Sequence, residues 1–305
     1  MELEEIKSKL RKYKIYDVVR LLKRYNREVF YVNHYPVTNG INTTDKRDKK
    51  IILSLTSYQA RFSTLPLCLR SLLWQKVKPD KIIVWLACNP SEITPEMRQY
   101  EKYGVEYRYV NEDLKPHKKY FYALQEYSND IVITVDDDVI YPRDLVSSLM
   151  KTHEKYPDSV CGRRVLKILF DNNNNVLPYN EWEWNYKKWT RPSYGLLATG
   201  CSGILYPPNC LPKEAFDKEM ITKECLFDDD IWLYFMEIQN GTHIVWAKNR
   251  RVLLSNIRGS EKSALSLTNV VENRTDGHIR NMERRYGKIY DIIIEKQQIS
   301  MKTNL

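Results

Sequence analysis

Three consecutive aspartates, Asp136, Asp137 and Asp138, follow directly on the apolar run 131–135 (IVITV). Like charges this close together raise one another's pKa and destabilise the fold unless a cation lies among them. Carboxylate oxygens are ligands that Mg²⁺ and Mn²⁺ prefer, with water and substrate phosphates in the remaining positions. The run therefore predicts a divalent-cation site, with a plain acidic turn as the alternative.

A second run of three aspartates, Asp228, Asp229 and Asp230, lies at the start of segment 227–241, which has helical apolar spacing and ends in Gly241. Anionic side chains are stabilised at a helix N-terminus, where they cap unpaired N–H groups and complement the helix dipole. An acidic helix cap is therefore one interpretation of this run. A functional task different from that of the first run is the other.

The segments before the first aspartate run alternate between short apolar strands and helical patterns. Strands are predicted at 51–55, 81–87, 105–110 and 131–135, and helices at 63–75, 95–103 and 116–127. This alternation predicts an α/β fold with a mostly parallel sheet and helices on both faces. In such folds ligands bind beyond the carboxyl ends of the strands, which is where the first aspartate run lies.

The later segments have a less regular pattern. Residues 163–182 predict two strands around an Asn-rich turn, and the tail from Ile279 onward predicts a final helix. We expect a basic helical extension and connector over residues 1–49, a catalytic domain over 50–255, and a C-terminal helical segment over 256–305 that packs on it.

The N-terminal extension carries most of the excess positive charge. Of the net charge of +9, residues 1–50 contribute +6, with 13 Lys and Arg against 7 Asp and Glu. Apolar residues recur there at helical spacing between basic ones: Ile6, Leu10, Tyr13, Val18, Leu21, Leu22 and Tyr25. A basic amphipathic helix binds an anionic membrane surface, contacts a partner, or docks on its own domain. Membrane contact through residues 1–27 is one of these three possibilities.

A basic protein with clustered aspartates is also compatible with a metal-dependent nuclease or nucleotidyltransferase. The charge distribution counts against that class, because residues after position 50 have a net charge of only +3. We therefore expect no nucleic-acid partner. The six cysteines form no CxxC pair, and the N-terminus has no secretory pattern, which predicts reduced thiols in a cytoplasmic protein.

Aromatic and glycine residues mark two further segments. Trp182, Trp184 and Tyr186 are spaced two apart, so on a strand they would place three rings on one face, where they suit a sugar or fill a core. The segment containing Gly200, Ser202 and Gly203 has glycines where the backbone approaches a neighbour closely. A donor sugar, an acceptor or a tight structural turn would each explain them.

Four segments together resemble the bacterial glycosyltransferases of GT-A fold that build surface or capsular polysaccharides. They are IILSLTSYQARFSTLPLCLRSLLWQKVKPDKIIVWLA, HKKYFYALQEYSNDIVITVDDDVIYP, TGCSGILYPP and DDDIWLYF, in order between Lys50 and Asn249. The second strand departs from the commonest family-2 pattern, because it ends in VWLACNP where an acidic pair is usual. The resemblance implies a GT-A-like catalytic domain with an N-terminal basic helix and a C-terminal helical extension around it.

The resemblance also implies roles for the first aspartate run. Asp138 matches the metal-binding end of the DxD motif, and Asp136 matches its other end, near the ribose and the metal. Asp137 is the middle position of the motif and matters least for the chemistry. The metal implied is Mn²⁺ or Mg²⁺.

Further roles follow from the other matched segments. The turn after the first strand resembles the segment that holds the nucleoside and its phosphates; its residues are Thr56, Ser57, Tyr58 and Arg61. Lys118 and Lys119 match a basic pair near the base or diphosphate, with a solvated helix face as the alternative. Asp230 matches the general base of inverting members, and Asp229 its acidic neighbour.

These roles imply a metal-dependent glycosyltransferase. The donor is a nucleotide-diphosphate sugar, with a UDP-sugar favoured, and the acceptor is a hydroxyl of a growing glycan or lipid-linked glycan. Asp230 would take the acceptor proton while the anomeric carbon is attacked from the opposite face, which inverts its configuration. The location implied is the cytoplasm or the cytoplasmic face of the membrane.

Overall fold

The computed structural model describes residues 15–249, 255–260 and 274–303. Its helices are α1 Ile15–His34, α2 Leu65–Leu73, α3 Pro95–Arg98, α4 Lys118–Glu126, α5 Leu145–His153, α6 Lys218–Met220, α7 Asp229–Gln239, α8 Arg274–Tyr286 and α9 Ile289–Thr303. Its strands are β1 Ile51–Thr56, β2 Lys81–Leu86, β3 Val105–Tyr109, β4 Ile131–Thr134, β5 Val139–Ile140, β6 Val160–Gly162, β7 Val165–Lys167, β8 Leu196–Ala198, β9 Ile204–Tyr206, β10 Ile244–Trp246 and β11 Ser255–Asn256.

Seven strands form one central sheet in the order β10-β6-β9-β4-β1-β2-β3. Strand β1 pairs in parallel with β4 and β2, β2 with β3, and β10 with β6. Only β9, of the strands in this sheet, runs antiparallel to its two neighbours, β4 and β6. The predicted mostly parallel sheet is therefore confirmed, and the carboxyl ends of β1 and β4 lie side by side.

Alternate residues of the central strands enter two hydrophobic cores, one on each face of the sheet. On β1, Leu53 and Leu55 pack with α2, while Ile52 packs on the opposite face with Tyr120 of α4 and Trp232 of α7. Strand residues with side chains buried on both faces read as continuous apolar runs, as the sequence does here. The predicted helices on both faces are confirmed.

The expected element bounds are accurate for the first four strands and generous for the helices. Segment 95–103 divides into α3 and a short 3₁₀ turn, Glu101–Tyr103. Of the two strands expected over 163–182 only the first forms, as β7, and it pairs with the distant β8. Two isolated antiparallel bridges, Phe170 with Val176 and Lys167 with Glu183, span the Asn-rich turn. The single C-terminal helix is in fact α8 and α9, separated at Gly287, whose φ of +100° ends the first helix.

The described part of the basic N-terminal helix is α1, which docks on the domain. Val32 is buried against the core, and Arg70 of α2 donates hydrogen bonds to the carbonyl oxygens of Val32, Asn33 and Tyr35 at the end of α1. The predicted helical residues before position 15 lie outside the described residues. Within those residues, every helix is too short or too polar to cross a lipid bilayer.

Candidate active site

The first aspartate run emerges from the carboxyl end of β4, next to the turn that follows β1. Asp137 is 5% exposed and is held by that turn. Ser57 Oγ donates to Asp137 Oδ2 at 2.5 Å, and Arg61 Nη1 donates to Asp137 Oδ1 at 2.6 Å. The side chains of Ser57 and Arg61, expected at the nucleotide, therefore fix the middle aspartate in place.

Asp138 lies at the same guanidinium but is more open than Asp137. Its Oδ2 is 2.9 Å from Arg61 Nη1, and its side chain keeps 17% of its exposure. Burial and the neighbouring carboxylate of Asp136 raise the pKa of Asp138 to about 6. This carboxylate is thus crowded by negative charge and is not fully neutralised by the protein.

The second aspartate run lies at the start of α7, and its members have different contacts. Asp228 Oδ1 accepts the N–H of Ile231 at 3.3 Å, and its Oδ2 accepts the hydroxyl of Thr275 at 2.8 Å, so this residue is the helix cap. Asp230 Oδ1 accepts the N–H of Gly200 at 2.9 Å. Burial and the charge of Asp229 raise the pKa of Asp230 well above its usual value, which makes it a stronger base than an exposed carboxylate.

Lys119 of α4 joins the two runs. Its side chain is 4% exposed, and its Nζ lies 2.7 Å from Asp136 Oδ1 and 2.9 Å from Asp229 Oδ2. These opposite charges raise the pKa of Lys119 although burial alone would lower it. The two runs, about ninety residues apart in sequence, therefore form one cluster around a single ammonium group.

Gly200 completes this cluster because its backbone passes close to the charged groups. A Cβ at this position would lie 2.9 Å from Lys119 Nζ and 3.3 Å from both Asp136 Oδ1 and Asp230 Oδ1. Close backbone approach, expected for this segment, is confirmed at Gly200. Gly203 has a φ of +91°, and a Cβ there would lie 2.6 Å from Leu145, so its close contact is with the hydrophobic core and not with a ligand. Ser202 is also buried.

The other residues expected to bind the nucleotide lie at different places and have different partners. Lys118 is buried and pairs with Asp113, so the two adjacent lysines serve different carboxylates. Thr56 Oγ1 donates to the carbonyl oxygen of Trp85 at 2.8 Å. Tyr58 is 44% exposed, and its ring lies 5.7 Å from the Arg61 guanidinium, at the mouth of the cluster.

The expectation that Trp182, Trp184 and Tyr186 share a strand face is wrong. Trp182 follows a 3₁₀ turn, is 2% exposed and donates its Nε1–H to the carbonyl oxygen of Leu177, so it belongs to the core. Tyr186 is buried as well. Trp184 is half-buried, and the Arg164 guanidinium lies over its ring at 5.0 Å from the centroid.

Two residues at the cluster were not assigned from sequence. His278 of α8 places its Nδ1 3.7 Å from Asp228 Oδ2. Arg164 Nη1 lies 2.9 Å from the thiol of Cys201, in the turn that contains Gly200. Neither residue has neighbours along the chain that form a motif, so only the folded chain shows that they lie here.

The first run fits a divalent cation in its chemistry. Among the described residues no group of three His, Cys, Asp or Glu side chains is preassembled as a metal site. A cation that also binds substrate phosphates needs only one or two protein carboxylates. Asp136 and Asp138 supply hard oxygen ligands. Burial and the neighbouring carboxylate of Asp136 raise the pKa of Asp138, and a cation between the two would oppose both effects.

The fold is similar to that of solved glycosyltransferases. The mannosyltransferase PcManGT from Pyrobaculum calidifontis, solved in complex with GDP-Man and Mn²⁺, has a TM-score of 0.51 at 14% identity, over 91% of this chain and 76% of that chain. S. aureus TarS 1–349 in complex with UDP has a TM-score of 0.43 at 13% identity, over 66% of this chain and 58% of that one. This chain thus spans less than two thirds of the TarS segment. Comparison with curated protein sequences finds no match.

The sequence itself shows the family. Residues 51–206, which contain β1 to β9 and the first aspartate run, match Glycosyl transferase family 2. That stretch is just over half of the 305 residues. Together with the shared fold, it makes the protein a glycosyltransferase with a GT-A-like fold rather than the alternative nuclease. The chain belongs to glycosyl transferase family 2.

Proposed function

We propose that this enzyme transfers a sugar from a nucleotide-diphosphate donor to a hydroxyl of a growing glycan, with a divalent cation and with inversion at the anomeric carbon. The observation that supports this most is the single cluster around Lys119. Asp136 and Asp229 lie at its ammonium group, and the half-buried Asp230 accepts the N–H of Gly200 next to it. Asp138 lies two residues from Asp136, at the Arg61 guanidinium. A metal-assisted leaving group and a general base are the two groups that such a transfer requires.

Asp138 and Asp136 are the proposed ligands for Mn²⁺ or Mg²⁺. When bound, the cation supplies Lewis-acid stabilisation of the departing diphosphate. Asp137 accepts a hydrogen bond from the Arg61 guanidinium and so fixes the position of Arg61 next to the proposed metal ligands. Thr56 and Tyr58, in the segment that ends β1, are proposed to contact the nucleoside, since ligands of parallel sheets bind at this edge.

Asp230 is the proposed general base. Its Oδ1 is fixed by the Gly200 N–H, which leaves Oδ2 for the acceptor hydroxyl. Burial and the negative charge of Asp229 raise the pKa of Asp230, and the ammonium group of Lys119 opposes this shift only in part. In this mechanism Asp230 accepts the hydroxyl proton as the oxygen attacks the anomeric carbon opposite the leaving group.

Titration with UDP and with GDP, each in Mn²⁺ and in EDTA, tests the donor assignment. We expect metal-dependent binding of at least one nucleotide, with UDP favoured. GDP is included because the Pyrobaculum enzyme of the same fold was solved with GDP-Man. A screen of nucleotide sugars for release of the diphosphate, followed by NMR of the product's anomeric centre, tests the mechanism. Retained configuration would contradict the role of Asp230.

We further propose that the N-terminal extension makes peripheral contact with an anionic membrane surface, as a growing surface or lipid-linked glycan acceptor would require. Helix α1 presents Lys23, Arg27, Phe30 and Tyr31 to solvent, with Phe30 and Tyr31 each 54% exposed. Aromatic and basic side chains together bind the headgroup region of anionic bilayers. Sedimentation with phosphatidylglycerol vesicles, but not with phosphatidylcholine vesicles, is the expected result. Equal sedimentation with both would contradict it.

A further inference from the structure

Among the residues that the structure describes, the guanidinium of Arg164 has no carboxylate partner. Among the described residues its contacts are the Cys201 thiol, 2.9 Å from Nη1, and the Trp184 ring, 5.0 Å from the guanidinium carbon. No carboxylate in the described part of the chain forms an ion pair with it, and its Nε is buried without a hydrogen bond. A thiol is a weak acceptor, so this cation lacks the partner that a buried arginine normally has.

The position of Arg164 is at the active site. It follows the carboxyl end of β6, and its partner Cys201 belongs to the 3₁₀ turn Gly200–Ser202. The same turn holds Asp230 through the Gly200 N–H. Asp230 is also among the charged groups close enough to act electrostatically on Arg164. The guanidinium and the proposed base therefore both contact the turn Gly200–Ser202.

The chemistry of the guanidinium decides what such a group binds. Arginine remains charged at all relevant pH values and offers five N–H donors in one plane. The cation–π contact with Trp184 positions the guanidinium, and its Nε and Nη2 make no hydrogen bond to a described residue. A planar edge of N–H donors suits the two oxygens of a carboxylate or a phosphate, and such charge-assisted bonds are among the strongest in proteins.

We propose that Arg164, positioned over the Trp184 ring, binds a carboxylate or phosphate group carried by the acceptor glycan. This inference rests on the proposed function, because it takes Asp230 as the base that faces the acceptor hydroxyl. The anionic group then anchors the acceptor while its hydroxyl lies at Asp230. Arg164 selects anionic acceptors over neutral ones of the same size.

Binding of three probes at one ionic strength tests this assignment. They are methyl glucoside, methyl glucuronide and glucose 6-phosphate, each titrated into the full chain with UDP and Mn²⁺ present. We expect at least one of the two anionic probes to bind about tenfold more tightly than the neutral one, as charged hydrogen bonds predict. In Arg164→Met this preference disappears, and in Arg164→Lys, which keeps the charge but not the planar edge, it is intermediate.

Arg143→Met is the matched control. The guanidinium of Arg143 also lies over a tryptophan, 4.6 Å from the Trp74 ring centroid, and its Nε donates to the Trp74 carbonyl oxygen, next to α2. Among the described residues it forms no ion pair with an aspartate of the cluster. This variant is expected to keep the full preference for the anionic probe. If Arg164→Met does not fold, the comparison of Arg164→Lys with Arg143→Met still decides the question.

Three results would overturn the proposal. The first is equal binding of all probes by the unaltered enzyme, and the second is an undiminished preference in Arg164→Met. The third is that Arg164→Met weakens only the binding of UDP, or only that of UDP-glucuronate compared with UDP-glucose. That result would mean that Arg164 binds an anion of the donor. Nucleotide release from the donor, measured on the same samples, distinguishes a failure of the Arg164 assignment from a failure of the proposed function. An enzyme that turns over donor without an anion preference refutes only the Arg164 assignment, whereas an enzyme that turns over no donor refutes the proposed function.

Discussion

The two aspartate runs have the same three letters in sequence but different partners in the fold. In the first run the middle residue is structural, since Asp137 is bonded to Ser57 and Arg61. In the second run the first residue is structural, since Asp228 caps α7. Each run has one member that contacts Lys119, and the last member of each run has a partner other than Lys119. The bridging members are Asp136 and Asp229, and the last members are Asp138 and Asp230.

The six carboxylates differ in their contacts, and these contacts indicate different proposed roles. Asp138 shares a guanidinium with Asp137 and keeps some exposure, as a cation ligand requires. Asp230 has a single backbone donor and a raised pKa, as a base requires. Identical residue types thus differ in chemistry because burial and neighbouring charge differ between the two places.

The largest expected effect is on turnover at the second run. Asp230→Asn keeps the shape and the hydrogen bond to Gly200 but cannot accept a proton, so kcat is expected to fall by about 10² to 10⁴. The dissociation constant for the nucleotide should stay unchanged, because the proposed donor site is at the first run. Steady-state kinetics and calorimetric titration measure the two quantities. Near-normal turnover in this variant would show that the runs do not divide the chemistry as described.

The next effect is on the link between the runs. Lys119→Met leaves Asp136 and Asp229 without their shared cation, and removing one member of a buried ion pair costs about 3–5 kcal/mol of unfolding free energy. Denaturant unfolding measures this change. The neighbouring Lys118→Met is the control: its partner Asp113 is 40% exposed, so the expected loss is about 1 kcal/mol or less. Equal losses in both variants would argue against a special role for the bridge.

A smaller effect is expected on metal-dependent binding at the first run. Asp138→Asn removes one charged ligand, worth about 1.5–3 kcal/mol, which corresponds to a tenfold to hundredfold weaker UDP affinity in Mn²⁺. In EDTA the variant and the unaltered enzyme should bind UDP equally. Asp230→Asn serves as the comparison, with its metal-dependent affinity intact. A full Mn²⁺ effect in Asp138→Asn would remove Asp138 from the metal site.

The smallest effect is expected at the helix cap. Asp228→Ala loses the hydrogen bonds to Ile231 N–H and to Thr275, and loss of an N-cap costs about 0.5–2 kcal/mol of unfolding free energy. Asp228→Asn keeps an acceptor at the cap and is expected to lose less. Thermal unfolding of both variants measures the difference. A loss in Asp228→Ala as large as that in Lys119→Met would mean that Asp228 does more than cap α7.

The fold was largely predictable because apolar runs of strand length reveal a sheet buried on both faces. The run 51–55 and the run 131–135 both became central parallel strands, with Asp136 at the expected edge. Local pattern failed where partners are distant in sequence. Strand β7 pairs along its length with β8 and makes one isolated bridge, Lys167 with Glu183, to the segment across the Asn-rich turn. Trp182 entered the core, because packing overrides spacing.

The sequence by itself determined the residue types at the site and their order along strands and helices. The first aspartate run follows an apolar strand, and the second begins an apolar helix. Both placements can be predicted from sequence because the backbone period and helix capping are local properties. Only the tertiary structure decided which partner each carboxylate contacts. Lys119 contacts both runs, and Arg164 contacts the same turn, Gly200–Ser202, as Asp230 does, because helix α4 and the segment after β6 converge at one edge of the sheet. Charge neutralisation and desolvation depend on distance in space, which spacing along the chain does not specify.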